Sequence, residues 1–268
     1  MKTLKEIFKS HYDYRKQLFK LAKSDIIKTY KGAALGWSWA IIRPAIQIFV
    51  FWFAFSFGLR SGKPVEGYPF FLWLIAGMTP WFYMRDMIQG GAASMRRYTY
   101  LITKIKYPVC TIPTFVSMSL LMVHIGLLAI VIVIYIAFGY MPDIYYLQLP
   151  FYMALMFLFF TAWGLFAGVL SAMSRDFLNL VKALTTALFW ISGVIYDANS
   201  VHVEWIRQIL LFNPVTLIAN GYRNCFIYKQ WFWETPGEMR NFVIVYAVMI
   251  LLSVWAYRKL HRDIPDVL

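Results

Sequence analysis

The chain has 268 residues, 60% of them hydrophobic and 19% aromatic, with only 15% charged and a net charge of +13. Soluble domains sit near 45–50% apolar and about 25% charged, so this balance excludes an ordinary soluble domain and points to a membrane protein. The basic residues flank long apolar runs, which is the pattern of the positive-inside rule and of contact with anionic lipid, not that of nucleic-acid recognition.

Residues 1–36 open the chain with apolar positions at Leu4, Ile7, Phe8, Tyr12, Phe19, Ala22, Ile26, Ile27 and Tyr30, mostly three or four apart. Lysines fall between them, which predicts an amphipathic helix, or two, lying in the headgroup layer. Residues 37–260 should form a six-span core. The first span covers about 38–57, with Arg43 and Pro44 one turn in; the arginine can snorkel toward the headgroups. A short Gly/Pro-rich turn follows at 58–69. The second span covers about 70–87, loosened by Gly77 and Pro80, and Arg85–Asp86 reads as an interfacial ion pair at its end.

Residues 89–108 read as a polar loop carrying Arg96, Arg97, Lys104 and Lys106 with no acidic residue to offset them. A loop this basic between two bilayer-length runs belongs on the cytoplasmic face. No charged residue occurs from Tyr107 through Pro142 or from Ile144 through Ser174, and these stretches hold spans three and four. His124, inside the third, reads as a helix-contact residue. The fifth span is short, because only fourteen residues separate Lys182 from Asp197. Residues 201–227, broken at Asn213–Pro214, read as a re-entrant helix-break-helix, and the sixth span covers about 241–257. Nineteen lysines and arginines then lie in the expected inner segments against six in the outer ones, which puts both termini in the cytoplasm. The expected fold is one all-α membrane domain in the plasma membrane.

The chemistry of an energy source is absent. There is no GxxxxGK[ST] for a nucleotide and no HExxH for a metal. The two cysteines, Cys110 and Cys225, form no CxxC and fall on opposite faces of the expected topology. Asp86, Asp176 and Asp197 all sit at span ends, which argues against an ion-coupled carrier. An intramembrane transferase acting on a polyprenyl carrier would need an acidic or metal-binding cluster, and none is evident.

The order of short motifs carries a resemblance. Tyr30-Lys31-Gly32, Leu35-Gly36, Trp39 and Pro44 precede the segment 58–82, then Lys104, Lys106, Tyr107 and Pro108, Arg175-Asp176, Asn213-Pro214 and Tyr222-Arg223. Over some two hundred residues this resembles the permease subunits of ABC exporters that move lipid-linked polysaccharides, most closely the wall teichoic acid branch. The sequence departs from that pattern at Gly193 and Asp197, where the family commonly has proline.

The resemblance implies a permease with no catalytic, cofactor or metal site of its own. It implies a second copy of the chain and two separate ATPase subunits that hold ATP and Mg2+. The cargo would be a lipid-diphosphate-linked polymer, teichoic acid in the first place and O-antigen or capsule in the alternative. Coupling to the ATPase is expected at Lys28, Lys31, Arg96, Arg97, Lys104 and Lys106. A sugar-phosphate or polyol-phosphate chain needs aromatic faces and cationic groups along its path. The candidates are Trp37, Trp39, Phe51, Phe55, Trp81, Tyr83, Phe189, Trp190 and Tyr196 for the first, and Arg43, Arg85 and Lys182 for the second.

Overall fold

The computed structural model describes residues 2–31, 34–58, 63–105 and 107–268. Among them are twelve α-helices and no strand: α1 (Lys2–Asp13), α2 (Arg15–Tyr30), α3 (Trp39–Phe53), α4 (Phe70–Arg97), α5 (Thr99–Thr103), α6 (Ile112–Ala137), α7 (Leu149–Met173), α8 (Arg175–Ile191), α9 (Glu204–Leu211), α10 (Pro214–Arg223), α11 (Pro236–Leu260) and α12 (Ile264–Val267). Prolines mark several starts: Pro113, Pro150, Pro214 and Pro236 all lie in the first turn of their helices. There the missing N–H would have had no partner in any case, and the fixed φ suits the helix.

Among the described residues, four stretches are long and apolar enough to cross a bilayer: Gly36–Gly58, Val109–Ala137, Ile144–Met173 and Pro236–Leu260. They coincide with the expected spans one, three, four and six. The remaining two differ, for different reasons. Helix α4 has 28 residues, about 42 Å at roughly 1.5 Å per residue, which exceeds the ~30 Å hydrocarbon core. Its composition is too polar to stand out because it is the central helix, packed against α6, α7, α8 and α10. Every residue from Leu72 through Met84 is buried, so α4 needs no lipid-facing stripe. Helix α8 has 17 residues, only about 26 Å by the same rise.

Two ends of the bundle can be told apart by their contacts. At one, the basic end, Arg96 on α4 reaches the last carbonyls of α7, and His11 on α1 pairs with Thr114 at the start of α6. At the other, Tyr140 donates to the carbonyl of Gly67, Lys229 pairs with Asp143 at 2.6 Å, and the Gln148 amide donates to the carbonyl of Gln230.

Among the described residues the most extensive helix pairing is α4 with α7, and small residues make it possible. A Cβ on Gly91 would stand 2.9 Å from the Cα of Gly164, and one on Gly168 would stand 3.1 Å from the carbonyl of Gly91. Gly164 and Gly168, four apart on α7, are the small-xxx-small arrangement that lets two backbones approach in a membrane.

The basic segment 89–108 corrects the sequence reading. Up to Thr103 it is not a loop: α4 continues without interruption to Arg97, and α5 follows after the single residue Tyr98, so that only the described residues from Lys104 on leave the helix. The amphipathic region divides into α1 and α2, the second burying Leu18, Ala22, Asp25 and Ile26. The helix-break-helix expected over 201–227 is present as α9 and α10, with Asn213 between them capping α10 by accepting from the Val215 amide at 3.0 Å. Both cysteines are buried and free.

Candidate functional site

On α3, Trp39, Arg43, Gln47 and Phe51 follow one another at intervals of four, and Phe55 continues the series in the π turn Ala54–Gly58. Residues four apart form a single ridge winding along a helix. This ridge changes character along its length. Its first half is polar and cationic, its second half aromatic.

Trp39 and Arg43 of the polar half line a cleft of about 100 Å³ between α2, α3, α4 and α6, together with Tyr30, Tyr83, Arg85, Asp86 and His124. Four of the residues expected on the path, Trp39, Arg43, Tyr83 and Arg85, therefore meet at one place. Arg43 lies over the Trp39 ring at 5.5 Å and makes no ion pair among the described residues. Arg85 pairs with Asp86 at 2.8 Å and donates to Gln47 at 3.1 Å, which joins α4 to the ridge. Pro44 withdraws the N–H that the carbonyl of Ala40 would have accepted, and Ala40 also lines the cleft. Tyr30 at the end of α2 stacks on Trp37 at 5.2 Å, so Trp37 belongs to the cleft's approach and not to its wall.

The aromatic half joins α4 and α8. The Phe51 ring lies 5.1 Å from Phe189 and 6.0 Å from Trp190, Phe189 lies 5.2 Å from Trp81, and Phe55 lies 5.9 Å from Phe70. Phe51, Phe55, Trp81, Phe189 and Trp190 thus form one seam between three helices. Trp81 and Phe189 are buried in it, whereas Trp190 remains 55% exposed. Two candidates fall outside. Tyr196 lies beyond α8, its hydroxyl donating to the carbonyl of Ile191 at 2.6 Å. Lys182 stands exposed on α8 without an ion pair among the described residues.

Three buried polar features brace the site: His124 makes the helix contact expected of it, whereas Arg223 and Asp25 escaped the sequence reading. His124 is 3% exposed, and its Nε2 lies 2.7 Å from the Tyr222 hydroxyl, which ties α6 to α10; its Nδ1 has no partner among the described residues. Arg223 is fully buried and donates to the carbonyls of Gly193 at 2.8 Å and Val194 at 2.5 Å, with its guanidinium 3.7 Å above the Trp73 ring. Gly77 makes room for it: a Cβ there would meet Nη2 at 2.4 Å. The third is Asp25, 3% exposed on a lysine-rich helix, paired with Arg97 at 2.9 Å.

At the basic end, the expected coupling residues divide. Arg96 donates to the carbonyls of Ser171 at 2.5 Å and Ala172 at 2.8 Å, and Arg97 is held by Asp25. These two are spent inside the chain. Lys31 and Lys104 are exposed, and Lys28 is exposed too, its ammonium 5.7 Å from the Tyr100 ring. Lys106 lies outside the described residues. No group of three or more metal-ligating side chains occurs among the described residues.

Residues 16–227, the stretch that holds the cleft, the seam and α2, match the family of ABC-2 type transporters. The chain belongs to that family. Among its relatives is the O-antigen export system permease protein RfbA of Myxococcus xanthus, 26% identical over 216 residues, which are 80% of this chain and 82% of that protein. Two O-antigen export system permease proteins RfbA of Klebsiella pneumoniae are 20% and 21% identical over 208 residues, 77% of this chain and 78% of each. This ABC-2 type chain is accordingly a multi-pass membrane permease, and the resemblance to ABC polysaccharide exporters holds. Its teichoic acid branch finds no counterpart among these relatives.

Proposed function

We propose that this chain is the membrane half of an ATP-driven exporter that carries a lipid-diphosphate-linked cell-envelope polysaccharide from the cytoplasmic to the outer face of the plasma membrane. Two copies would work with two separate ATPase subunits, which would hold ATP and Mg2+. An O-antigen-type polysaccharide is the favoured cargo. A single observation carries the reading: the family match over residues 16–227 spans the α3 ridge and the α4 seam, and a relative that aligns with 80% of the chain is a permease named for O-antigen export. The second cargo reading, wall teichoic acid, is favoured by the segment 58–82, of which 59–62 lie outside the described residues.

The ridge supplies what such a cargo requires. Arg43 and Arg85 offer cationic donors to phosphate, with Asp86 keeping the cleft from becoming a trap. The aromatic seam offers flat apolar faces to sugar carbons. Lys182, exposed on α8, would meet phosphate outside the cleft. In the bilayer, α3, α4, α6, α7, α8 and α11 would be the six spans, with α9 and α10 dipping in from the outer face and the basic end in the cytoplasm. Lys28, Lys31 and Lys104 would face the ATPase, with Arg96 and Arg97 bracing the helices behind them.

Depletion of the chain in living cells tests the cargo. The reading expects lipid-linked polymer to accumulate on the cytoplasmic side, and chemical analysis of its repeat unit separates sugars from polyol phosphates. Normal surface polymer after depletion would sink the proposal.

A further inference from the structure

The buried carboxylate of Asp25 has no role in the reading above, and its surroundings give it one. The buried positions of α2 are Leu18, Ala22, Asp25 and Ile26, so an ionisable group occupies the apolar stripe that packs on α6. Both of its oxygens are engaged. Oδ1 faces Arg97 at 2.9 Å and accepts from the Tyr98 hydroxyl; Oδ2 accepts from Ser119 Oγ at 2.5 Å. Arg97 also donates to Thr29 at 3.2 Å, one turn further along α2. The neighbouring Arg96 holds the end of α7. Four helices are thereby tied together within about one turn of α4.

Simple adhesion does not need this arrangement. Burying a charge costs more than burying a leucine of similar size, and replacing a buried ion pair by apolar residues is often neutral or stabilising. What a fully satisfied polar network adds is direction, because it fixes one register and one rotation. A purely apolar stripe would let α2 slide or roll on α6.

We propose that Asp25 is a positioning residue for transport: it locks α2 in register to α4 and α6, so that movement delivered at Lys28, Lys31 and Lys104 reaches the bundle core. This rests on the reading that a partner ATPase drives export. The phenol of Tyr98 suits the role, since burial first and the Asp25 carboxylate second raise its pKa, which keeps it a donor.

The test uses the permease assembled with its ATPase subunit in membranes, comparing wild type with Asp25→Leu, Tyr98→Phe, Ser119→Ala, Arg97→Lys and Arg97→Gln. Trypsin cleavage after Lys23, Lys28 and Lys31 reports whether α2 stays docked and requires neither nucleotide nor cargo. Asp25→Leu should keep α2 docked while the polysaccharide moved per ATP hydrolysed falls about tenfold, the scale of a typical coupling energy. Arg97→Lys should retain more coupling than Arg97→Gln. Wild-type stoichiometry in a docked Asp25→Leu complex overturns the lock. If Asp25→Leu undocks α2, Tyr98→Phe and Ser119→Ala decide, each expected to lower coupling with α2 in place; normal coupling in both overturns it equally. A wild-type complex that hydrolyses ATP but moves no polysaccharide defeats the export reading instead. The lock is then judged on the permease's stimulation of hydrolysis, which Asp25→Leu must reduce to sustain it.

Discussion

Arg43 and Gly77 show what single residues do here. Arg43 is a guanidinium in the first turns of a span, over Trp39 and without a carboxylate partner among the described residues. If it meets a phosphate of the cargo, Arg43→Gln removes a charge-assisted bond of about 1.5–3 kcal/mol. The cargo concentration for half-maximal transport should then rise about tenfold or more, with assembly of the complex unchanged; a normal concentration dependence refutes the role. Gly77→Ala places a methyl where Arg223 Nη2 now lies. Overpacking of this kind costs about 1–3 kcal/mol, to be read as a lower unfolding temperature in detergent. The identity of Arg43, Arg85, Trp39 and Tyr83 as neighbours was within reach of the sequence because they are span-end residues of the right types. Asp25, Gly77 and Arg223 were not, since their meaning lies in contacts made across α2, α4, α6 and the turn after α8. One signal did exist for Asp25: an acid at a stripe position of an otherwise basic amphipathic helix.

Among elements, legibility followed exposure. Helices α3, α6, α7 and α11 present apolar faces outward, among them Phe49, Val133, Leu158 and Leu251, so their hydropathy announces them. Helix α4 is enclosed by protein, and its polar C-terminal third read as a loop because charge there is neutralised by carbonyls and by Asp25 rather than by water. The break at Asn213 was legible for the opposite reason, as Asn-Pro is turn chemistry wherever it occurs. Asn213 also donates to Ser192 at 2.8 Å, binding the break to the end of α8. Asn213→Ala should cost about 1 kcal/mol through the lost cap and free the α8–α10 junction, seen as faster hydrogen exchange at 192–216. Gly164→Leu should be more severe, because α7 cannot approach α4 with a side chain between Gly91 and Pro113. Loss of the monodisperse folded peak on gel filtration is the expected result, and a wild-type profile would refute the crossing.

For the molecule as a whole, length, composition and charge sufficed to assign a multi-pass membrane chain, and the family match agrees. What composition could not supply is the continuity of the α3 ridge on which the proposed path depends, passing from Arg43 to Phe51 against α4 and α8. The same surfaces leave Phe49, Phe53, Trp190 and Ile191 exposed in the single chain, as a second copy or lipid would require. The central claim is that this chain supplies the passage and a separate ATPase supplies the energy. Proteoliposomes containing the permease alone, or the permease with its ATPase subunit, can be loaded with lipid-linked polysaccharide and probed for polymer that reaches the far leaflet on addition of ATP. The account predicts movement only when both subunits and ATP are present; uphill movement by the permease alone would contradict it.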